Sequence, residues 1–222
     1  MLTLHRSRKG RSRPSLLNQI IFFSLIAGSA SAGFIAPQDY GMWTRGAAGT
    51  TYQNWDGFQN PLPDAPDIDQ NPTGVATATT AGGFVAGSGN LYNMGGGQTI
   101  TVSVPGYSPV GHTTSVLLQV KTLSNSIDAA SLTFGGVNSY AYTHEISNVT
   151  VSTAYGPAAE IETLFTFHGL PSSSSFDITF NSPAHASIMG IAVDTNVVPE
   201  PGTAALLGMG LALLSGSVRK QR

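Results

Sequence analysis

The sequence predicts an all-β protein: an antiparallel β-sandwich or jelly-roll-like domain between an N-terminal signal peptide and a short C-terminal transmembrane helix. Two observations in the middle of the chain support this fold class. Apolar residues alternate with polar ones in short runs, and clusters of Gly, Pro, Asn and Ser separate these runs. No stretch of ten residues between the two ends shows helical periodicity, so an antiparallel sandwich is favoured.

The individual strands follow from period-two alternation. In the segment TITVSV, Ile100, Val102 and Val104 share one face of the predicted strand, and hydroxyl residues share the other. Six further segments indicate strands: SVLLQVKT, ASLTF, SNVTVST, IETLFTFH, SFDITF and ASIMGIAVD. We therefore expect one domain over residues 33–198. Its N-terminal part, residues 33–97, has few apolar runs and many Gly, Pro, Asn and Asp residues, which predicts a loop-rich region with long loops or edge structure in part of it.

The first 32 residues have the layout of a secretory signal peptide. A basic stretch, HRSRKGRSRP, precedes the apolar run IIFFSLIAGSA and a small-residue site with Ala30 and Ala32. This order predicts export and cleavage before Gly33. The alternative is an uncleaved N-terminal anchor, but the apolar run is shorter than the ~20 residues of a spanning helix.

Charge and cysteine content exclude several classes of function. Residues 33–198 contain eleven Asp and Glu and two basic residues, Arg45 and Lys121, which gives a formal charge of -9 with His neutral. Such a surface repels phosphate backbones, so we expect no nucleic-acid partner; divalent cations or neutral sugars are more plausible ligands. The absence of cysteine excludes disulfides, thiolate metal sites and a cysteine nucleophile.

The C-terminal segment, residues 199–222, has three parts. Pro199, Glu200 and Pro201 should be extended, because proline fixes its own φ and restricts the residue before it. From Thr203 follow sixteen uncharged residues, TAALLGMGLALLSGSV, which as a helix would span roughly 24 Å. The chain then ends in a basic tail that would remain cytoplasmic, formed by Arg219, Lys220 and Arg222.

These three parts resemble the PEP-CTERM sorting signal of exopolysaccharide-producing Gram-negative bacteria, also known as an ice-binding-protein C-terminal domain. The resemblance covers residues 199–222. It implies that a membrane-embedded exosortase recognises Pro199, Glu200 and Pro201 and passes the protein from an inner-membrane intermediate to the cell surface or extracellular matrix. It also suggests exopolysaccharide as a partner there. The alternative is an ordinary C-terminal anchor bounded by proline.

Two ligand sites are candidates within the loop-rich part. Asp64, Asp67 and Asp69 could supply oxygens to a loosely built calcium site, although Pro72 and Ala78 exclude an EF-hand. The alternative is a solvated acidic turn. Three aromatic residues could form a stacking platform for sugar rings, but aromatics in such a region more often anchor a loop on the sandwich. They are Trp43, Tyr52 and Trp55.

No catalytic motif stands out. The segment THEIS lacks the second His of a zinc helix, and the other histidines are scattered singly along the chain. We therefore expect no catalytic residues and no cofactor other than a calcium ion. The sequence favours a non-catalytic surface or matrix protein. A secreted carbohydrate-binding module is the second interpretation, and a polysaccharide hydrolase on a jelly-roll scaffold is the third.

Overall fold

The structure is a computed structural model, which describes residues 33–70, 73–135, 142–200, 202, 205–209 and 211. The chain divides into two compact units, Met1–Gly33 and Phe34–Arg222, and every element below belongs to the second. The predicted signal peptide and its residues Ala30 and Ala32 lie outside the described part, so the cleavage site before Gly33 stays a prediction.

The described residues form one short 3-10 helix, Pro37–Tyr40, and twelve strands. In chain order the strands are β1 Thr50–Trp55, β2 Ile68–Gln70, β3 Thr77–Ala81, β4 Phe84–Val85, β5 Leu91–Tyr92, β6 Gln98–Pro105, β7 His112–Leu123, β8 Asp128–Phe134, β9 Tyr142–Thr153, β10 Gly156–Pro171, β11 Ser175–Ser182 and β12 Ser187–Pro199.

The strands form two antiparallel sheets. The first has the order β2-β1-β12-β7-β10-β9, with β5 also paired to β12 and β4 paired to β5. The second has the order β3-β6-β11-β8. Each of the seven predicted segments lies within a strand or extends one residue beyond it. The all-β antiparallel prediction is therefore confirmed.

A single large hydrophobic core lies between the two sheets. Alternation decides which residues enter it: Ile100, Val102 and Val104 of β6 are buried, while the Thr and Ser residues between them are partly exposed. Aromatic rings connect the sheets, because Phe134 of β8 lies 5.4 Å from Phe167 of β10 between ring centroids. The inward faces of the two sheets thus form the layered core of a sandwich.

The N-terminal part, predicted to be loop-rich with some edge structure, contributes the short strands β1 to β5 between its loops. Strand β1 lies inside the first sheet between β2 and β12, and all six of its residues are buried. Its polar side chains have partners there: the Thr51 hydroxyl lies 2.7 Å from that of Thr195, and Gln53 Nε2 donates to Asp69. The alternation rule missed β1 because these paired polar residues interrupt the apolar pattern.

The chain leaves the sandwich through β12, which ends at Pro199. Beyond it, residues 202, 205–209 and 211 are helical and exposed. Within the ranges that the structure describes, no helix is both long enough and apolar enough to cross a membrane. Pro201 and the basic tail, Arg219, Lys220 and Arg222, lie outside these ranges.

Candidate functional site

The predicted sorting motif begins inside the last strand of the sandwich. Pro199 is the final residue of β12 and lies opposite His112, the first residue of β7. One residue further, the Glu200 amide donates a 2.9 Å hydrogen bond to the Gly111 carbonyl oxygen. Val198, Pro199 and Glu200 are all exposed. The described part of the motif, Pro199 and Glu200, therefore continues the extended strand, as proline chemistry predicts, and is hydrogen-bonded to the sandwich.

The hydrogen bonds along the two edges of β12 end at different positions. On the side of β1, Val197 donates from its amide to the Gly49 carbonyl oxygen, whereas on the side of β7 the pairing continues to Glu200. Backbone groups of successive strand residues point to opposite sides. The backbone nitrogen of Pro199 therefore faces the β1 side, beyond the first residue of β1, and because proline has no N–H it leaves no unpaired donor at this open edge.

A buried ion pair holds the N-terminal segment against the first sheet. Arg45 Nε and Nη2 each lie 2.7 Å from a carboxylate oxygen of Asp194 on β12, a bidentate geometry. The Asp194 side chain is only 1% exposed. Arg45 also donates to the Ile35 carbonyl oxygen, and its guanidinium lies 3.6 Å from the centre of the Tyr52 ring. Arg45 thus joins three parts of the domain.

The pKa values of this pair reflect burial and mutual attraction. Burial raises the pKa of Asp194 to about 6, while the hydrogen bonds and charge of Arg45 act in the opposite direction. For Arg45, burial alone lowers the pKa, but the hydrogen bond and charge of Asp194 outweigh it and raise the pKa. At neutral pH the pair is therefore ionised on both sides.

The other basic residue of the middle region stabilises the same segment. Lys121 Nζ lies 4.5 Å from the centre of the Phe34 ring, a cation–π contact. Gln119 makes two hydrogen bonds to the Ile35 backbone, of 2.9 and 2.8 Å. A Cβ on Gly190 would lie 2.9 Å from a backbone oxygen and 3.1 Å from the Phe34 ring, so only glycine fits there.

The predicted sugar platform is not formed. Trp55 is 0% exposed and belongs to the core between the sheets, where its Nε1 donates to the Asp64 carbonyl oxygen. Tyr52 is 6% exposed, and Arg45 covers its ring. Trp43 alone is partly exposed. The platform prediction is therefore wrong, because two of the three rings anchor the N-terminal part on the sandwich.

The three carboxylates of the predicted calcium site accept hydrogen bonds from three different donors. Asp64 accepts from the Gln59 amide, Asp67 from the Asp56 amide and Asp69 from the Gln53 side chain. Among the residues that the structure describes, no group of three or more His, Asp or Glu is placed to hold a metal ion. The calcium site stays a prediction from spacing, and the observed bonds give these carboxylates a structural role.

An open cavity of about 670 Å³ lies where β6 and β8 begin and β11 ends. Ser182 contributes a hydroxyl that is buried and makes no hydrogen bond. The register of β11 against β8 shifts between Thr179 and Asn181, which brings Asn181 opposite Asp128. The residues that line the cavity are mostly small and polar: Ala81, Gly97, Gln98, Thr99, Ser126, Ile127, Asp128, Asn181, Ser182 and Pro183.

The described histidines stand apart from one another and make single contacts. His112 approaches the Val110 carbonyl oxygen, and His185 approaches the Tyr92 hydroxyl. His168 Nδ1 lies 3.2 Å from Ser115 Oγ on the exposed face of β10. A Ser–His contact resembles part of a hydrolytic triad, but a triad also needs a carboxylate that orients the His and donors for an oxyanion.

Sequence reasoning missed Gly111, the Arg45–Asp194 pair and the cavity. Gly111 has φ +70°, which favours glycine, but its hydrogen bond to Glu200 depends on strand register. Arg45 and Lys121 did carry a signal, since two isolated cations in an acidic domain suggest specific partners. The cavity depends on how strand ends meet, which alternation does not predict.

The last strand of the sandwich, β12, ends at Pro199, and apolar helical residues follow it in the chain. These features define a folded domain with a C-terminal tail. The family model described as the PEP-CTERM protein-sorting motif matches residues 197–221 of this chain. The chain therefore carries a PEP-CTERM sorting motif, which confirms the resemblance noted from the sequence. Comparisons with curated proteins and with solved structures give no match.

The motif has direct consequences for where the protein goes. It implies export and membrane-associated sorting toward the cell surface, and processing by an exosortase. The match begins at Val197 and covers the end of β12, so the sorting motif and the folded domain overlap in the chain.

Proposed function

We propose that this protein is a non-catalytic component of the cell surface or extracellular matrix, which an exosortase delivers by processing at Pro199, Glu200 and Pro201. The sorting motif matched at residues 197–221 is the observation that carries the proposal. The exposed, extended backbone at Val198 to Glu200 supports it, because a processing enzyme binds its substrate as an extended segment.

A non-catalytic role agrees with the chemistry of the described residues. The most strongly shifted carboxylate, Asp194, is engaged by Arg45 and is 1% exposed, so it is not available to a substrate. The Ser115–His168 contact lies on an exposed strand face. Perturbed pKa values mark catalytic sites only where a substrate can reach the group. The ion pair is therefore better explained by its role in stabilising the fold.

Replacing both prolines of the motif tests the proposal. Pro199→Ala with Pro201→Ala should abolish processing, because alanine removes the φ restriction and lets the following helix extend back through Glu200. The precursor should then stay membrane-associated at full mass in a host that has an exosortase. Since the backbone nitrogen of Pro199 faces away from β7, the pairing of β12 with β7 up to Val198 should survive.

The matched control changes two exposed prolines outside the motif, Pro109→Ala with Pro157→Ala. This variant should be processed at the wild-type rate, as measured by intact mass and cell fractionation. If the motif variant is processed at the wild-type rate, the exosortase does not require the two prolines, and the proposal is contradicted.

The cavity supports a second candidate function, the binding of neutral glycans. Its volume of about 670 Å³ is within the range of ligand sites, and its hydroxyl, amide and carboxylate groups match sugar hydroxyls. The unpaired Ser182 hydroxyl adds a hydrogen-bonding group that protein contacts leave unsatisfied. The lining residue Pro183 comes four residues before β12, which then spans about 40 Å to the motif, so a membrane-held tail would leave the cavity directed outward.

A glycan-binding screen of the mature protein tests this second function. Asn181→Ala should weaken binding of any glycan found by about tenfold, the loss expected from one or two hydrogen bonds. Asp177→Ala, on the same strand but away from the cavity lining, should leave binding unchanged. Equal affinities for the wild type and Asn181→Ala, or no binding to any glycan, would remove the cavity from consideration.

A further inference from the structure

The Pro-Glu-Pro tripeptide of the sorting motif has a single backbone N–H donor. Pro199 and Pro201 have no N–H, so the amide of Glu200 is the one N–H group that the Pro-Glu-Pro tripeptide can offer. In the structure this amide is already bonded to the Gly111 carbonyl oxygen at 2.9 Å. An enzyme that binds the tripeptide through its backbone must therefore displace Gly111 or do without the donor.

Among the residues that the structure describes, this bond is the last one between the end of β12 and its neighbours. On the β1 side, the hydrogen bond nearest the end of β12 joins Val197 to Gly49. On the β7 side, it joins Glu200 to Gly111. Gly111 has φ +70° and directly precedes β7. The bond is thus formed by the first residue outside β7 and the first residue outside β12.

We propose that the sandwich competes with the exosortase for the Glu200 amide, so that processing requires the end of β12 to separate from Gly111. The inference rests on the proposed function, and it adds a regulatory role for the folded domain. The enzyme takes a single extended strand, whereas the closed domain presents a strand whose β7 edge is occupied. Because this backbone hydrogen bond must open first, the fraction of molecules whose Glu200 amide is free for the enzyme is up to about tenfold lower.

The first test inserts a six-residue Gly/Ser linker between Val198 and Pro199 of the full-length chain. The linker separates the motif from the β7 register while the tripeptide and the following residues keep their sequence. In a host with an exosortase, pulse-chase analysis should show processing up to about tenfold faster than in the wild type. As a control, the same linker between Ala154 and Tyr155, in the exposed β9–β10 turn, should not change the rate.

A second variant leaves the chain length unchanged. Gly111→Val places a β-branched residue at φ +70°, which strains the backbone that accepts the bond from Glu200 and should also accelerate processing. Gly41→Val is its matched control, because Gly41 has the same φ of +70° and a Cβ added there would meet no atom within 4 Å, but it lies far along the chain from the motif. This control should be processed at the wild-type rate.

The outcomes separate the two proposals. Faster processing of both the linker variant and Gly111→Val, with unchanged controls, supports the competition. A processed wild type together with variants that are processed equally fast or more slowly would overturn the competition and leave the sorting proposal intact. If neither the wild type nor the linker variant is processed in the exosortase host, the sorting proposal itself fails, and the competition fails with it.

Discussion

Arg45→Met should be among the most destabilising single substitutions in the domain. It removes both 2.7 Å bonds to Asp194 and leaves a carboxylate that is 1% exposed without its ion partner. Breaking a buried pair in this way costs about 3–5 kcal/mol, because the remaining charge stays desolvated. The bond to Ile35 and the contact with the Tyr52 ring are lost as well.

The loss of stability in Arg45→Met should depend on pH. Without Arg45, the effect of burial on Asp194 is no longer opposed, so its pKa in the folded state rises further above the unfolded value of 3.8. A carboxyl group whose pKa is raised in the folded state binds its proton at a higher pH there than in the unfolded chain. Protonation therefore stabilises the folded state at low pH, and this stabilisation is lost as the pH rises through the folded-state pKa. Arg45→Met should therefore be less destabilising at pH 5 than at pH 8.

Denaturant unfolding of the purified protein at both pH values measures these effects. The control is the double variant Arg45→Met with Asp194→Asn, which removes the buried charge. It should recover part of the stability at pH 8 and lose the pH dependence. A cost below about 1 kcal/mol for Arg45→Met at both pH values would show that the pair contributes no more than a surface ion pair.

Alternation predicted the strands that face solvent on one side and the core on the other. In β6 and β11 the buried positions alternate with exposed or partly exposed ones, and in β8 the alternation covers Leu132 to Phe134, so the sequence pattern alone identifies the inward face. β1 was missed for the opposite reason: both of its faces are covered, one by the core and the other by the N-terminal segment. Hydrogen bonds from β1 side chains to β12 and β2 satisfy polar groups that the pattern would place at the surface.

The site was predicted as far as local sequence determines it. Proline chemistry correctly gave an extended backbone at Pro199, and the order of the three C-terminal parts gave the sorting motif. The partner of Glu200 could not be predicted, because Gly111 is distant in sequence and meets Glu200 only through the register of β7 and β12. The sugar platform failed for a related reason, since exposure of Trp55 depends on which sheet covers it.

The central claim is that an exosortase processes this chain through its PEP-CTERM motif. The direct test expresses the wild-type protein in a host that has an exosortase and in the same host without the enzyme, and compares intact mass and location. With the enzyme, we expect a smaller protein at the cell surface or in the medium. Without it, the larger precursor should remain in the membrane fraction. Identical mass and location in both hosts would contradict the account and leave only an ordinary C-terminal anchor.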